Sequence, residues 1–140
     1  MNLVVCIGSE TGNDSFGLRV ARLIKGKVSA RIEEATNYID LLTFLYDASY
    51  EKLIVVDAVR GNEDYKLVEF DVRADGKVKA PMTHSITFFD AVRLAKALGI
   101  LPDRVIVVGM EIASVEVEDE GRLEEVAAKA AERVAELCSE

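Results

Sequence analysis

The sequence predicts an α/β fold: a three-layer α/β/α domain built on a five-stranded, mostly parallel twisted sheet with one antiparallel edge strand. Order along the chain is the first support. Short apolar runs alternate with segments whose apolar residues recur at helical spacing. The second support is the character of residues 3–7, 53–56 and 105–108, which are apolar without interruption. Strands buried on both faces of a parallel sheet read this way. The third is residues 66–72, where Leu67, Val68, Phe70 and Val72 are interleaved with charge, as in an edge strand. Asp75-Gly76 follows as a hairpin signal that can return the chain to Val78.

The elements follow in order. Residues 3–7 form the first strand and Gly8 stops it. Residues 16–24 place Phe16, Val20, Leu23 and Ile24 at helical spacing, and Gly26 ends that helix. Residues 28–32 alternate weakly and fit a second strand. Residues 38–45 are helical, with Ile39, Leu42 and Leu45 on one side, Leu41 beside them, and Thr36 or Asn37 as cap. Residues 53–56 are the clearest central strand, ending at Asp57. Residues 88–98 form an amphipathic helix terminated by Gly99 and Pro102. Residues 105–109 are another buried strand. Residues 122–137 form an Ala/Glu-rich helix that packs through Leu123, Val126, Ala130, Val134 and Leu137. No repeat, low-complexity segment or linker divides the 140 residues, so residues 1–140 read as one domain with a real core.

Composition narrows the function. The chain is 50% hydrophobic, which argues against disorder. A net charge of −8 argues against a nucleic-acid backbone or an anionic membrane as main partner. No apolar run approaches the ~20 residues of a membrane span. The first residues lack a basic region and a cleavage site, so a cytoplasmic location is expected. Cys6 and Cys138 fit no metal spacing and read as a buried small residue and a terminal thiol.

In open α/β sheets, ligands bind beyond the carboxyl ends of the strands, near the point where strand order reverses. Asp14 follows the first strand and Asp57 ends the third, and these strands are usually neighbours. His84, the only histidine, lies in the loop before the residue 88–98 helix. These positions share one rim, where two carboxylates and an imidazole can converge on one metal ion and leave coordination positions open. Each also has a plainer reading: Asp14 as a helix cap, Asp57 as a loop anchor, His84 as a structural or solvated side chain. The residue 8–13 loop resembles a phosphate cradle in position only. It lacks G-x-G-x-x-G and the P-loop lysine, and Glu10 and Asp14 repel phosphate. Ser9, Ser15 and Ser85 sit in no G-x-S-x-G turn.

Taken together, these segments resemble the hydrogenase maturation endopeptidases, over nearly the whole chain. The opening strand, acidic loop and glycine before a helix appear as Val5-Cys6-Ile7-Gly8-Ser9 and Asn13-Asp14-Ser15-Phe16-Gly17. The strand ending in Asp-Ala appears as Leu53-Ile54-Val55-Val56-Asp57-Ala58, followed by Gly61. The histidine before an apolar helix appears as Thr83-His84-Ser85. Gly109-Met110-Glu111 and Ser114-Val115-Glu116 match the family's Gly-x-Glu after the last strand and the Ser-Val-Glu beyond it. The chain departs from the family at Ser9, where Asn is usual, and at Asn13, where the first acid stands. It departs again at Ser15, Ala35 and Ile112, where Gly, Gly and Pro are usual.

The resemblance implies an endopeptidase that removes the C-terminal extension of the [NiFe]-hydrogenase large-subunit precursor after nickel insertion. It implies that Asp14, Asp57 and His84 bind metal. The nickel is expected to arrive with the substrate and to serve as the recognition element, and other divalent metals can substitute. Asp14 and Asp57 are the candidate catalytic groups through the metal site, and Glu33 is an outer candidate for general base. Two other readings compete: a non-catalytic metal-binding assembly module on the same scaffold, and a nucleotide-binding α/β domain.

Overall fold

The computed structural model describes residues 1–72 and 85–140. The expected turn at Asp75-Gly76, its return to Val78, and His84 lie outside the described residues. The elements run β1 (Asn2–Ile7), a 3₁₀ turn (Asn13–Ser15), α1 (Phe16–Ile24), β2 (Arg31–Ala35), α2 (Ile39–Asp47) and β3 (Lys52–Arg60). They continue with β4 (Lys66–Val72), α3 (Ser85–Ala97), β5 (Arg104–Ile112) and α4 (Glu120–Ser139).

Among the described residues the strands form one five-stranded sheet in the order β2-β1-β3-β5-β4. β1 pairs in parallel with both β2 and β3, and β3 pairs in parallel with β5. β4 is the antiparallel edge strand, with Val68 opposite Gly109. The mostly parallel sheet with one antiparallel edge is therefore as the apolar pattern predicts.

Side-chain alternation along each strand feeds two cores, one per face. Val4, Cys6, Ile54, Val56, Ile106 and Val108 pack under α1 and α4. Leu3, Val5, Leu53, Val55, Val105 and Val107 pack under α2 and α3. Uninterrupted apolar runs are what such double burial requires.

Several boundaries differ from the sequence expectation. The second strand is Arg31–Ala35, not residues 28–32, because its ladder is set by β1: Leu3 pairs with Arg31 and Ile7 with Ala35. Val28 and Ala30 instead fill the edge of the α1/α4 core as half-buried side chains. In α2 the buried residues are Leu41 and Leu45, whereas Ile39 is 68% exposed. β3 does not end at Asp57. β5 runs on beside it, pairing Asp57 with Gly109 and Arg60 with Ile112, so the Gly-x-Glu lies within β5 and not after it.

α1 starts almost on top of the sheet. A Cβ at Gly17 falls 2.2 Å from the Ile7 carbonyl oxygen and 3.0 Å from that of Val56. Only glycine permits that approach, and both contacts are backbone and cannot rotate away. Gly17→Ala is expected to destabilise the protein by about 1–3 kcal/mol, as overpacking does. Chemical denaturation checks this, and an unchanged midpoint would show that α1 can lift off without cost.

Candidate active site

Strand order reverses between β1 and β3: β2 lies on one side of β1, while β3, β5 and β4 lie on the other. This is the switch point at which a ligand crevice opens in α/β sheets. The β1–β3 ladder stops at Cys6 opposite Val56. Asp57 is the next residue of β3, past the end of β1 yet still braced by β5. Its parity with Leu53, Val55 and Val59 directs it to the α2/α3 face.

Asp57 is fully buried. A buried carboxylate is costly unless hydrogen-bonded, and this one accepts at both oxygens. Oδ1 accepts from the Ala58 backbone N–H at 2.8 Å and Oδ2 from the Tyr38 hydroxyl at 2.5 Å. Tyr38 precedes α2 and is itself fully buried. Burial pushes its hydroxyl well above the ordinary tyrosine range, and the charges of Asp57 and then Asp14 push the same way. The phenol is therefore a protonated donor at neutral pH. From the other side, the Phe88 ring of α3 meets the Tyr38 ring edge-on, 5.2 Å between centroids at 72°.

Asp14 sits in the 3₁₀ turn between β1 and α1, half-buried. It does not cap α1: Ser15 holds the cap position and no side-chain cap bond forms. Its neighbour Asn13 fixes the turn. Asn13 is buried, donates its side-chain N–H groups to the carbonyls of Ser114 and Glu116 at 2.9 Å each, and donates its backbone N–H to Val115. An amide supplies two donors where a carboxylate supplies none, so Asn13 can hold this turn as an acid could not. Gly8 completes the arrangement, since a Cβ there meets the Asp14 carbonyl oxygen at 2.5 Å.

This loop makes a poor phosphate cradle. The N–H groups of Gly8, Ser9, Asn13 and Ser15 are given to the carbonyls of Ala35, Asp14, Val115 and Gly12. Ser15 Oγ donates to the Gly12 carbonyl and accepts from Arg19, and Ser9 Oγ donates to the Thr11 carbonyl. Among the described residues neither serine meets a base. Glu33 lies inside β2 opposite Val5 and accepts from Arg31 at 3.1 Å, so its carboxylate is engaged in a pair of its own. Burial pushes the Cys6 thiol far up, consistent with an inert core residue.

Thus Asp57 is bonded to the buried Tyr38 hydroxyl just past the end of β1, Asp14 lies in the turn that follows β1, and His84 lies outside the described residues. Among the described residues no three His, Cys, Asp or Glu side chains gather around a metal position. The donor chemistry of the pair fits half of a divalent site: hard oxygen ligands, one of them held by its own hydrogen bonds. Tyr38 and Asn13 escape a sequence reading. A tyrosine at a helix start signals only that its hydroxyl needs a partner once buried, and nothing local names Asp57 as that partner.

Residues 19–140 match the sequence profile of the hydrogenase maturation protease family, HycI, a span that includes Asp57 and His84 but begins after Asp14. No curated protein matches the chain significantly. The fold is similar to that of the [NiFe] hydrogenase maturation protease HybD from Thermococcus kodakarensis: TM-score 0.80, 20% identity, 98% of each chain covered. It is similar also to the hydrogenase maturating endopeptidase HybD from E. coli: TM-score 0.76, 19% identity, 95% of this chain and 88% of that chain. The maturation protease HycI from T. kodakarensis gives a TM-score of 0.75 at 21% identity, with 99% of this chain and 92% of that chain covered.

Proposed function

Because the chain belongs to the hydrogenase maturation protease family, we propose that it cleaves the C-terminal extension from the nickel-loaded [NiFe]-hydrogenase large subunit. Asp14, Asp57 and His84 recognise the nickel that the substrate carries. The observation that carries this reading is the Asp57 carboxylate, buried just past the end of β1 at the switch point and bonded to Tyr38, with Asp14 in the turn that follows β1. α3 begins at Ser85, immediately after His84, and Phe88 one turn later packs on Tyr38. That connectivity supports His84 as the third ligand.

In this reading two carboxylates offset the charge of a divalent ion, and three protein ligands leave positions for water or a substrate group. Docking on the nickel holds the scissile peptide beside the carboxylates and raises its effective concentration. Asp57 is enclosed and occupied by Tyr38, so it serves as the fixed ligand. Asp14 is half-exposed and is assigned as the group that takes a proton from water. The partner is the large-subunit precursor. No described helix is long and apolar enough to cross a membrane.

Incubation with nickel-loaded precursor is the test. A shortened large subunit, seen by mass spectrometry and absent with nickel-free precursor, is the expected result. Stable association without cleavage would replace this reading with the assembly module.

A further inference from the structure

We propose that Tyr38 is a positioning residue that sets the orientation of the Asp57 carboxylate toward the substrate's metal. The proposal rests on the reading of Asp57 as a ligand. Tyr38 occupies the N-cap position of α2 but makes no cap bond; Asn37 Oδ1 accepts from the Asp40 N–H instead. The tyrosine side chain turns inward and bonds a carboxylate nineteen residues further along the chain, at 2.5 Å. With the Ala58 N–H on the other oxygen, both ends of the carboxylate are tied and its plane is fixed.

Folding alone gives little reason for this pair. Burying a carboxylate beside a phenol costs desolvation that two apolar side chains avoid. Groups that orient a metal ligand through its second oxygen are the common use of such a bond. The edge contact with Phe88 packs against the ring and favours this orientation of the hydroxyl. Tyr38 thus joins α2, β3 and α3 at the point where the site must be rigid.

Tyr38→Phe keeps the ring and removes only the hydroxyl. With nickel-loaded precursor, kcat is expected to fall about 10–100-fold. The preference for binding nickel-loaded over nickel-free precursor is expected to fall about tenfold, and the melting temperature to fall as well, because the buried Asp57 carboxylate loses a donor. Leu45→Ala is the packing control: it loosens the same helix from the same core, lowers the melting temperature, and is expected to keep kcat and the binding preference. All measurements are made below the lowest midpoint. Wild-type kcat and preference in Tyr38→Phe, with Asp57→Asn inactive, overturn the proposal and leave Asp57 as ligand. An equal loss in Leu45→Ala reduces Tyr38 to packing. Normal cleavage by Asp57→Asn removes the ligand reading itself.

Discussion

Asp14→Asn is expected to lower cleavage of the nickel-loaded precursor by at least about 100-fold while the melting temperature stays within a few degrees of wild type. The two halves of this expectation come from different atoms of the same residue. The backbone of Asp14 is structural: its carbonyl accepts from the Ser9 N–H, and Gly8 is needed for that approach. Its side chain is half-exposed and caps nothing. Asparagine keeps the size and the backbone and removes the negative charge and the capacity to accept a proton. General acid–base groups contribute about 10²–10⁴-fold, and a neutral amide also weakens the hold on a divalent ion. A time course read on denaturing gels, beside thermal melts of both proteins, checks it. Full-rate cleavage by Asp14→Asn would move the proton acceptor elsewhere and leave Asp14 a solvated surface acid.

What was legible beforehand divides along physical lines. Double burial writes itself into composition, so residues 3–7, 53–56 and 105–108 announced a parallel core that the β1, β3 and β5 ladders realise. The Lys66–Val72 alternation announced an edge strand, and β4 occupies those residues. Pairing partners are not local information. Val28 is as strand-like as Ile32, and only the ladder with β1 decides that the strand starts at Arg31. The same holds for the length of β3, which depends on how far β5 accompanies it.

The site divides similarly. The rule that ligands collect where strand order reverses points to Asp14 and Asp57 among twenty-five acidic residues, and the structure sets Asp14 in the turn after β1 and Asp57 just past the β1–β3 ladder. The rule could not reveal Tyr38, whose role exists only because α2 brings its hydroxyl across the end of β3. Nor could it reveal Asn13, whose donors meet carbonyls about a hundred residues away. Long-range hydrogen bonds of buried polar groups leave no periodicity and no motif in a single sequence.

Asp57→Asn is expected to separate stability from activity, with opposite signs. The amide can keep its oxygen on the Ala58 N–H and turn its NH₂ toward Tyr38, whose hydroxyl then accepts instead of donating. The geometry at 2.8 Å and 2.5 Å therefore survives in outline. What disappears is a buried negative charge, whose desolvation the native fold must bear. The unfolding free energy at pH 7 is expected to rise or hold, by on the order of 1 kcal/mol, while cleavage falls by more than about 100-fold. Asp57→Ala makes the contrast. It removes the acceptor used by both donors and is expected to cost about 1–3 kcal/mol, with cleavage lost as well. A purely structural carboxylate gives a different ranking: Asp57→Asn would destabilise and still cleave. Denaturant melts of the three proteins, with cleavage assays on the same preparations, decide between them. If Asp57→Asn is both less stable and active, the buried acid belongs to the architecture of the sheet and not to its chemistry.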